Sequence, residues 1–531
     1  MSTDGDADSS SGWRTKLCEQ IDDFFGVDLR TLALVRIALA VTVLMLIAYL
    51  AGDIEIFFVD GGIFPDRDAG DFRHLEYRLS IHSRIGSYGG QLALFGLHAV
   101  AAICLLVGYR TRLSSVMTWL LTVSLLNCIH LASHRADTLL CLMLLWGMLT
   151  PWGARYSLDA LRKTTEKIPD RVVSLGTAGL IVQMPLVYGF GAWKKLTADP
   201  WVSEFSAVYY ATLPQYVTPI GEFVAAHQPY VVTQFLTGAT VVLQVVGPVL
   251  IFCPVLVVVS AETRRRWLAR LRIGVFAACS LFQLGLLAMV AVGLFPIISI
   301  AALLPVIPTR WWSWLESRPR WERCCRRVER RAQRLVGDPD LPAGRVGSGW
   351  AVTGVALVVW GMVVTSCGTE ARLFSMEYDL REFQRSSRVL QSWGMFTNPQ
   401  RGIRHYVMEG HLADGRRVDV FDEGGPIGPE TGGPISWEMP TPPRSSSYVA
   451  GYRWRLSTVM MTRGAWLEQR YERTTQRQYG GYVCRAWNDL YDGPERLERI
   501  RMHELLFRIP DPPNPPEEVA EGALMTTHYC Y

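Results

Sequence analysis

TLALVRIALAVTVLMLIAYL, residues 31–50, decides the fold. An α-helix rises about 1.5 Å per residue, so this run, with Arg36 as its lone charge, is long enough to cross a hydrocarbon layer of about 30 Å. Outward from it, comparable apolar runs lie near Gly90–Val107, Leu113–His130, Ala136–Gly153, Val172–Trp193, Val231–Val259, Ile273–Val292, Leu294–Pro308 and Trp350–Ser366. The run Leu294–Pro308 is short and proline-bounded. Across 531 residues the chain is 49% hydrophobic and 19% charged, so a membrane part and a polar part are both expected.

Charge between the runs sets the expected topology. Arg14, Lys16 and Arg30 precede the first run, Arg110 and Arg112 follow the second, and Arg155, Arg162, Lys163, Lys167 and Arg171 follow the fourth. Arg264, Arg265, Arg266, Arg270 and Arg272 follow the sixth, and an arginine cluster from Arg310 to Arg334 follows the eighth. All fall on one side if nine spans are real, which by the positive-inside rule is the cytoplasm. The first connection, with Arg67, Arg73, Arg78 and Arg84 among several acids, fits less well. The expectation is an α-helical polytopic protein of about nine spans in the cell (inner) membrane, N-terminus cytoplasmic, with a C-terminal β-rich extracytoplasmic domain. No cleavable signal peptide is visible at the acidic, Ser/Gly-rich start. A net charge of +4, spread in blocks beside apolar runs, argues for membrane lipids as partners and against nucleic acid.

The expected organisation is a disordered or amphipathic N-terminal segment (1–27), a transmembrane core (28–308), a basic linker (309–348), a last span (349–366) and an outer domain (367–531). Within the linker, 318–334 reads as a solvated basic anchor or a helix lying on headgroups. In the outer domain, alternation in Tyr406–Phe421 around Ala413, Asp414 and Gly415 predicts a hairpin, and Arg499–Ile509 a strand. Tyr482–Leu490 reads as helical or irregular, with turn clusters at 422–429 and 440–447 and an extended tail after the prolines of 510–516. Of the eleven cysteines, those inside apolar runs read as small hydrophobes, whereas Cys367, Cys484 and Cys530 permit one disulfide whose pairing stays open.

Soluble-enzyme motifs are lacking: there is no Walker A, GxSxG, HExxH or dinucleotide fingerprint. Chemistry must come from polar residues at membrane depth, which are costly to bury. Tyr188-Gly-Phe-Gly-Ala-Trp-Lys194-Lys195-Leu196 closes the fifth run and is followed by Asp199, Pro200 and Trp201. Adjacent helical residues point about 100° apart, so one lysine at most faces the interior, where it can act as a general base; the bland reading is an interfacial Trp/Lys anchor. Pro185, Gly189 and Gly191 suggest a helix that breaks to line a cavity. The second candidate is the connection from His130 through Ser133, His134 and Arg135 to Asp137, either a tight polar loop or a cluster level with Lys195. A four-residue His spacing on one helix face could also ligate a metal, the least favoured of these readings.

At these residues the chain resembles the horizontally transferred transmembrane (HTTM) proteins, a bacterial family similar to vitamin K-dependent gamma-glutamyl carboxylase. The carriers are Leu34-Val-Arg-Ile-Ala-Leu-Ala, Phe58-Val-Asp-Gly-Gly-Ile-Phe, Pro151-Trp-Gly-Ala-Arg-Tyr-Ser-Leu-Asp159, Tyr188–Leu196 with Trp201, and Gln391-Ser-Trp-Gly-Met-Phe396. The likeness covers roughly residues 28–314 and extends more weakly beyond. It implies a multi-span core with an outer β-rich domain. It also implies that Lys195 is the lysine that deprotonates a reduced naphthoquinone, whose oxygenation yields the base that takes the γ-proton of glutamate before CO₂ addition. His134 is the nearest match to an assisting histidine in an Asn-His-Ser element, with Ser133 in place of the Asn and Arg135 in place of the Ser. The resemblance thus predicts Lys195 and His134 as catalytic, Lys194, Tyr188 and Trp201 as cofactor-binding, no metal, and a peptide or protein substrate on the outer side. The rival expectations are a non-catalytic scaffold that binds a partner in envelope assembly and, less favoured without inverted repeats, a transporter.

Overall fold

The computed structural model describes residues 5–63, 79–162, 169–212, 217–323, 327, 333, 350–399, 401–420, 432–435, 437, 469–508 and 520–530. Its helices begin where the sequence supplies caps. Asp28 Oδ1 accepts the Arg30 amide at the start of α2 (Leu29–Ala51), Ser87 caps α3 (Tyr88–Val107), and Gly108, at φ 69°, ends it. His134 with Asp137 forms a capping box for α5 (Arg135–Met148), and Ser174 with Thr177 does the same for α6 (Leu175–Lys195). Between them α4 covers Thr111–Cys128; α7 (Tyr230–Phe252), α8 (Ala261–Met289), α9 (Phe295–Leu303), α10 (Thr309–Glu316) and α11 (Trp350–Glu370) follow.

Among the described residues six helices, α2, α3, α6, α7, α8 and α11, are long and apolar enough to cross a membrane, and a seventh candidate is the pair Phe295–Val306 and Thr309–Glu316, bent by 91°. This marks a membrane protein, with fewer qualifying helices than the nine runs expected. The shortfall has a physical cause. Helix α4 has 18 residues and turns Ser114, Ser115, Thr118, Thr122 and Ser124 inward, and α5 has 14 residues, buried from Ala136 to Gly147. Helix α5 is enclosed by its helix neighbours, whereas α4 keeps Leu113, Val116 and Leu120 exposed on its opposite face.

Contacts define two ends of the bundle. Short strands β1 (Val27–Asp28) and β2 (Arg171–Val172) pair antiparallel and place the starts of α2 and α6 together. Arg272 donates to Phe24 O, and Asp23 pairs with Arg264 and Arg265, bringing the start of α8 to the same end. Arg30 pairs with Glu316, returning the chain there after α9. At the opposite end Asn127 donates to Ser386 O, and Lys194 pairs with Glu370 at the close of α11. Residues Gly5–Phe25 form α1, a helix where a disordered or amphipathic segment was expected; Asp23 docks its last turn onto α8. Helix α6 runs unbroken through Pro185, Gly189 and Gly191, correcting the expectation of a break.

Beyond α11, α12 (Tyr378–Ser386) leads to an antiparallel sheet of order β4-β3-β5-β6, formed by β3 (Gly402–Leu412), β4 (Arg417–Asp419), β5 (Leu497–Arg508) and β6 (Ala520–Tyr529), with α13 (Gln469–Asn488) between β4 and β5 in sequence. The β3–β4 turn at Ala413–Gly415 and strand β5 agree with the sequence reading. The tail expected merely to be extended is the edge strand β6. Cys484 pairs with Cys530, and Cys367 stays outside the disulfide. The turn clusters 422–429 and 440–447, the proline run 510–516 and most of 318–334 beyond residue 323 lie outside the described residues.

Candidate functional site

The last turn of α6 separates its two lysines as helical geometry requires. Lys195 is 5% exposed, whereas Lys194 is partly exposed and pairs with Glu370. Lys194, expected to contact a cofactor, ties α6 to α11 through this pair, and Glu370 also accepts the Trp393 amide at 3.3 Å. Lys195 Nζ donates to Met395 O at 3.1 Å and lies 5.0 Å from the Trp201 ring centre, a cation–π distance. Among the described residues no carboxylate pairs with it.

Gly191, one turn earlier, opens the space beside that amine. A Cβ there would make ordinary contact with Lys195 Nζ, Gln244 Oε1 and Trp393 O, each at 3.6 Å, so the position has room for a methyl group and is ringed by polar atoms. Gln244, on α7, is buried, and its amide oxygen has no hydrogen-bond donor among the described residues. A buried acceptor without a donor is costly and marks a place for a ligand or water. Deeper on the same face of α6, Tyr188 Oη accepts from Gln283 Nε2 at 3.0 Å, and Gln283 Oε1 likewise lacks a donor among the described residues. Glutamine side chains inside apolar runs were the signal for these positions, and the sequence reading, directed at charged groups, passed over them.

Residues 387–397 form a strap between α12 and the sheet that covers the Lys195 amine. At one end Arg388 donates to Asn127 Oδ1, Leu126 O and Ser133 Oγ. In the middle Gln391 Oε1 accepts from Gln183 and from Trp393 Nε1, and Trp146 donates to Gln183. At the other end Met395 O meets Lys195, and Phe396 O and Thr397 O both accept from Trp201 Nε1. Arg388 and Phe396 adopt φ of 59° and 55°, a left-handed conformation that is unfavourable for side chains of this size. Trp393, fully buried, is therefore a packing anchor, while the neighbouring Met395 carbonyl touches the lysine.

His134 sits at the strap's other end. Its ring caps α5 through Nδ1, which accepts the Ala136 amide at 3.3 Å, and lies edge-on to Phe295 at 6.2 Å. The strap links its neighbour Ser133 to Lys195. Metal binding by a His130–His134 pair on one helix face does not hold: His130 lies in a 3₁₀ turn (His130–Ala132) and α5 starts only at Arg135. A cleft lies elsewhere, between the connection at Asp60–Gly61 and α13. No family model, curated protein or solved structure matches the chain.

Proposed function

We propose that the chain is an HTTM-type, carboxylase-like membrane enzyme that consumes a reduced naphthoquinone and O₂ at Lys195, with CO₂ addition to a glutamate of an outer peptide or protein as a further step. In this reading all nine apolar segments cross the cell membrane, the α1 end is cytoplasmic, and the sheet domain is outside. The arginines gathered at the α1 end support that orientation.

The observation that carries the chemistry is the buried Lys195 amine beside Gly191, which brings no side chain between it and the donor-less Gln244 oxygen. A reduced naphthoquinone fits this set. Its hydroxyl groups are the donors that Gln244 Oε1 lacks, and its flat ring suits the neighbourhood of Trp201. Lys195 Nζ takes a hydroxyl proton, and Met395 O accepts a hydrogen bond from the ammonium so formed. Once deprotonated, the quinol supplies the reaction with O₂. The strap keeps bulk water away from the amine, and Trp201 fixes the strap over it. His134, next to the Ser133 anchor of the strap's far end, acts on the site through that anchor.

The test is oxygen-dependent consumption of reduced naphthoquinone by the purified protein. Wild type and Lys194→Ala are expected to turn over, and Lys195→Ala to lose roughly 10²–10⁴-fold. Folded wild type inert toward several naphthoquinols would contradict this reading and favour a non-catalytic envelope scaffold.

A further inference from the structure

Away from Lys195, a cleft of about 1060 Å³ opens between α13, the end of β6 and the first outer connection. Arg477, Gly481 and Arg485 follow each other at four-residue spacing, so they share the face of α13 that forms one wall. Arg496 and His528 add to the lining, against the acids Asp60 and Asp489. The Cys484–Cys530 disulfide fixes the end of β6 to the helix, and Gly480 lets His528 approach closely, since a Cβ there would lie 2.6 Å from its ring. Arg485 Nη2 donates to Gly61 O at 2.6 Å and holds the opposite wall. The Arg477 and Arg496 guanidinium groups have no hydrogen-bond or ion-pair partner among the described residues. Burial, then Arg477 and Arg485, holds the His528 imidazole below its ordinary titration range, as a positive local field requires.

The neighbouring helix ends bear on the cleft's depth relative to a membrane. Gly61 follows the end of α2 by ten positions, and the Asp60 amide donates to Gly86 O at 2.9 Å, one residue before the cap of α3. Two apolar helices therefore bring their ends to this wall, and exposed Leu79, Ile81 and Tyr88 lie next to it in sequence. In the membrane reading proposed above, those helix ends put the cleft at headgroup level. We infer that it binds the phosphate of an anionic phospholipid headgroup from the adjoining leaflet, with Arg477 and Arg496 as the ligating guanidinium groups. Guanidinium forks match phosphate oxygens bidentately, and cationic side chains at the interface attract anionic lipid.

The experiment is thermal unfolding of the full chain in a neutral detergent with phosphatidylglycerol, phosphatidylcholine, inorganic phosphate or an oligoglutamate peptide added. Saturating phosphatidylglycerol is expected to raise the midpoint by about 3–5 °C and phosphatidylcholine to leave it unchanged. The exposed-site double variant Arg477→Gln/Arg496→Gln should melt like wild type without lipid and lose the increment. Equal shifts from both lipids, or an increment retained by the variant, would overturn the assignment. A full shift from phosphate alone would make this a soluble-phosphate site, and a larger one from oligoglutamate a peptide groove; either outcome overturns the lipid.

Discussion

The two ends of the helical bundle treat buried charge in opposite ways. At the α1 end, Arg36 gives its guanidinium to Leu105 O, Leu106 O and Tyr156 O, Arg264 meets Asp23, and Arg272 donates to Ile251 O and Phe24 O. At the other end, Lys195 has one carbonyl and a ring, and Gln244 Oε1 beside it lacks a donor. The first arrangement spends most of its donors on chain-to-chain bonds that fix the helix ends, with Arg36 Nε the group left over on that guanidinium. The second leaves bonding capacity open at the base of a strained strap. Residues of similar chemistry are structural at one end and available for a ligand at the other.

The largest effect expected from this contrast is on turnover: Lys195→Ala should lower quinol consumption by roughly 10²–10⁴-fold while its melting point stays near wild type. At the α1 end the outcome should invert. Asp23→Ala leaves Arg264 buried without its carboxylate and should cost about 3–5 kcal/mol, read as a lowered unfolding midpoint in detergent. If Lys195→Ala proved the more destabilising of the two, the contrast would fail.

Much of this contrast was legible in the sequence, and the reasons for the rest are specific. The apolar runs, the lysine pair and the arginine blocks are one-dimensional signals, and α2, α3, α6, α7, α8 and α11 follow from them. The hairpin at Ala413–Gly415 was readable because its turn chemistry is local. Helix α5 is shorter than its apolar run, because a helix buried at the centre of a bundle need not be long. The break expected at Pro185 does not occur, since the proline is accommodated within a packed helix. The strap was visible as a motif but not as a lid, because its contacts with Ser133, Gln183, Lys195 and Trp201 span about 200 residues or more.

A subtler substitution sharpens the comparison. Gly191→Ala meets its neighbours at ordinary contact distance, and alanine favours the helix by up to about 1 kcal/mol, so stability should hold or rise. Its methyl would still occupy the polar opening, and turnover should fall roughly tenfold or more. Turnover unchanged in a stable Gly191→Ala protein would move the ligand away from that position.

The smallest effect is expected outside the bundle, in the sheet. Burial of Glu409 works against its charge, but hydrogen bonds from His503 and Arg417 and the nearby His411 outweigh it and hold the carboxyl below its usual range. Burial and then Arg499 push His411 below its ordinary range. Both groups bind fewer protons folded than unfolded, so their stabilisation is present at neutral pH. The histidine's share is lost first on acidification, from the ordinary imidazole range downward, and the carboxylate's below the ordinary carboxylate range. Amide exchange in β3 and β5 should quicken there more than in α5, and Glu409→Gln should flatten the lower-pH portion.

The central claim, that Lys195 is a reactive amine inside a ligand pocket and Lys194 is a structural tie, is tested most directly by residue-resolved acylation of the two lysines. An amine-reactive acylating reagent, read by mass spectrometry with and without a non-oxidisable naphthol analogue, reports each site separately. The account predicts slow labelling at Lys195 that the analogue suppresses, and labelling at Lys194 that it leaves unchanged. Labelling of Lys195 that is fast and indifferent to the analogue would contradict it.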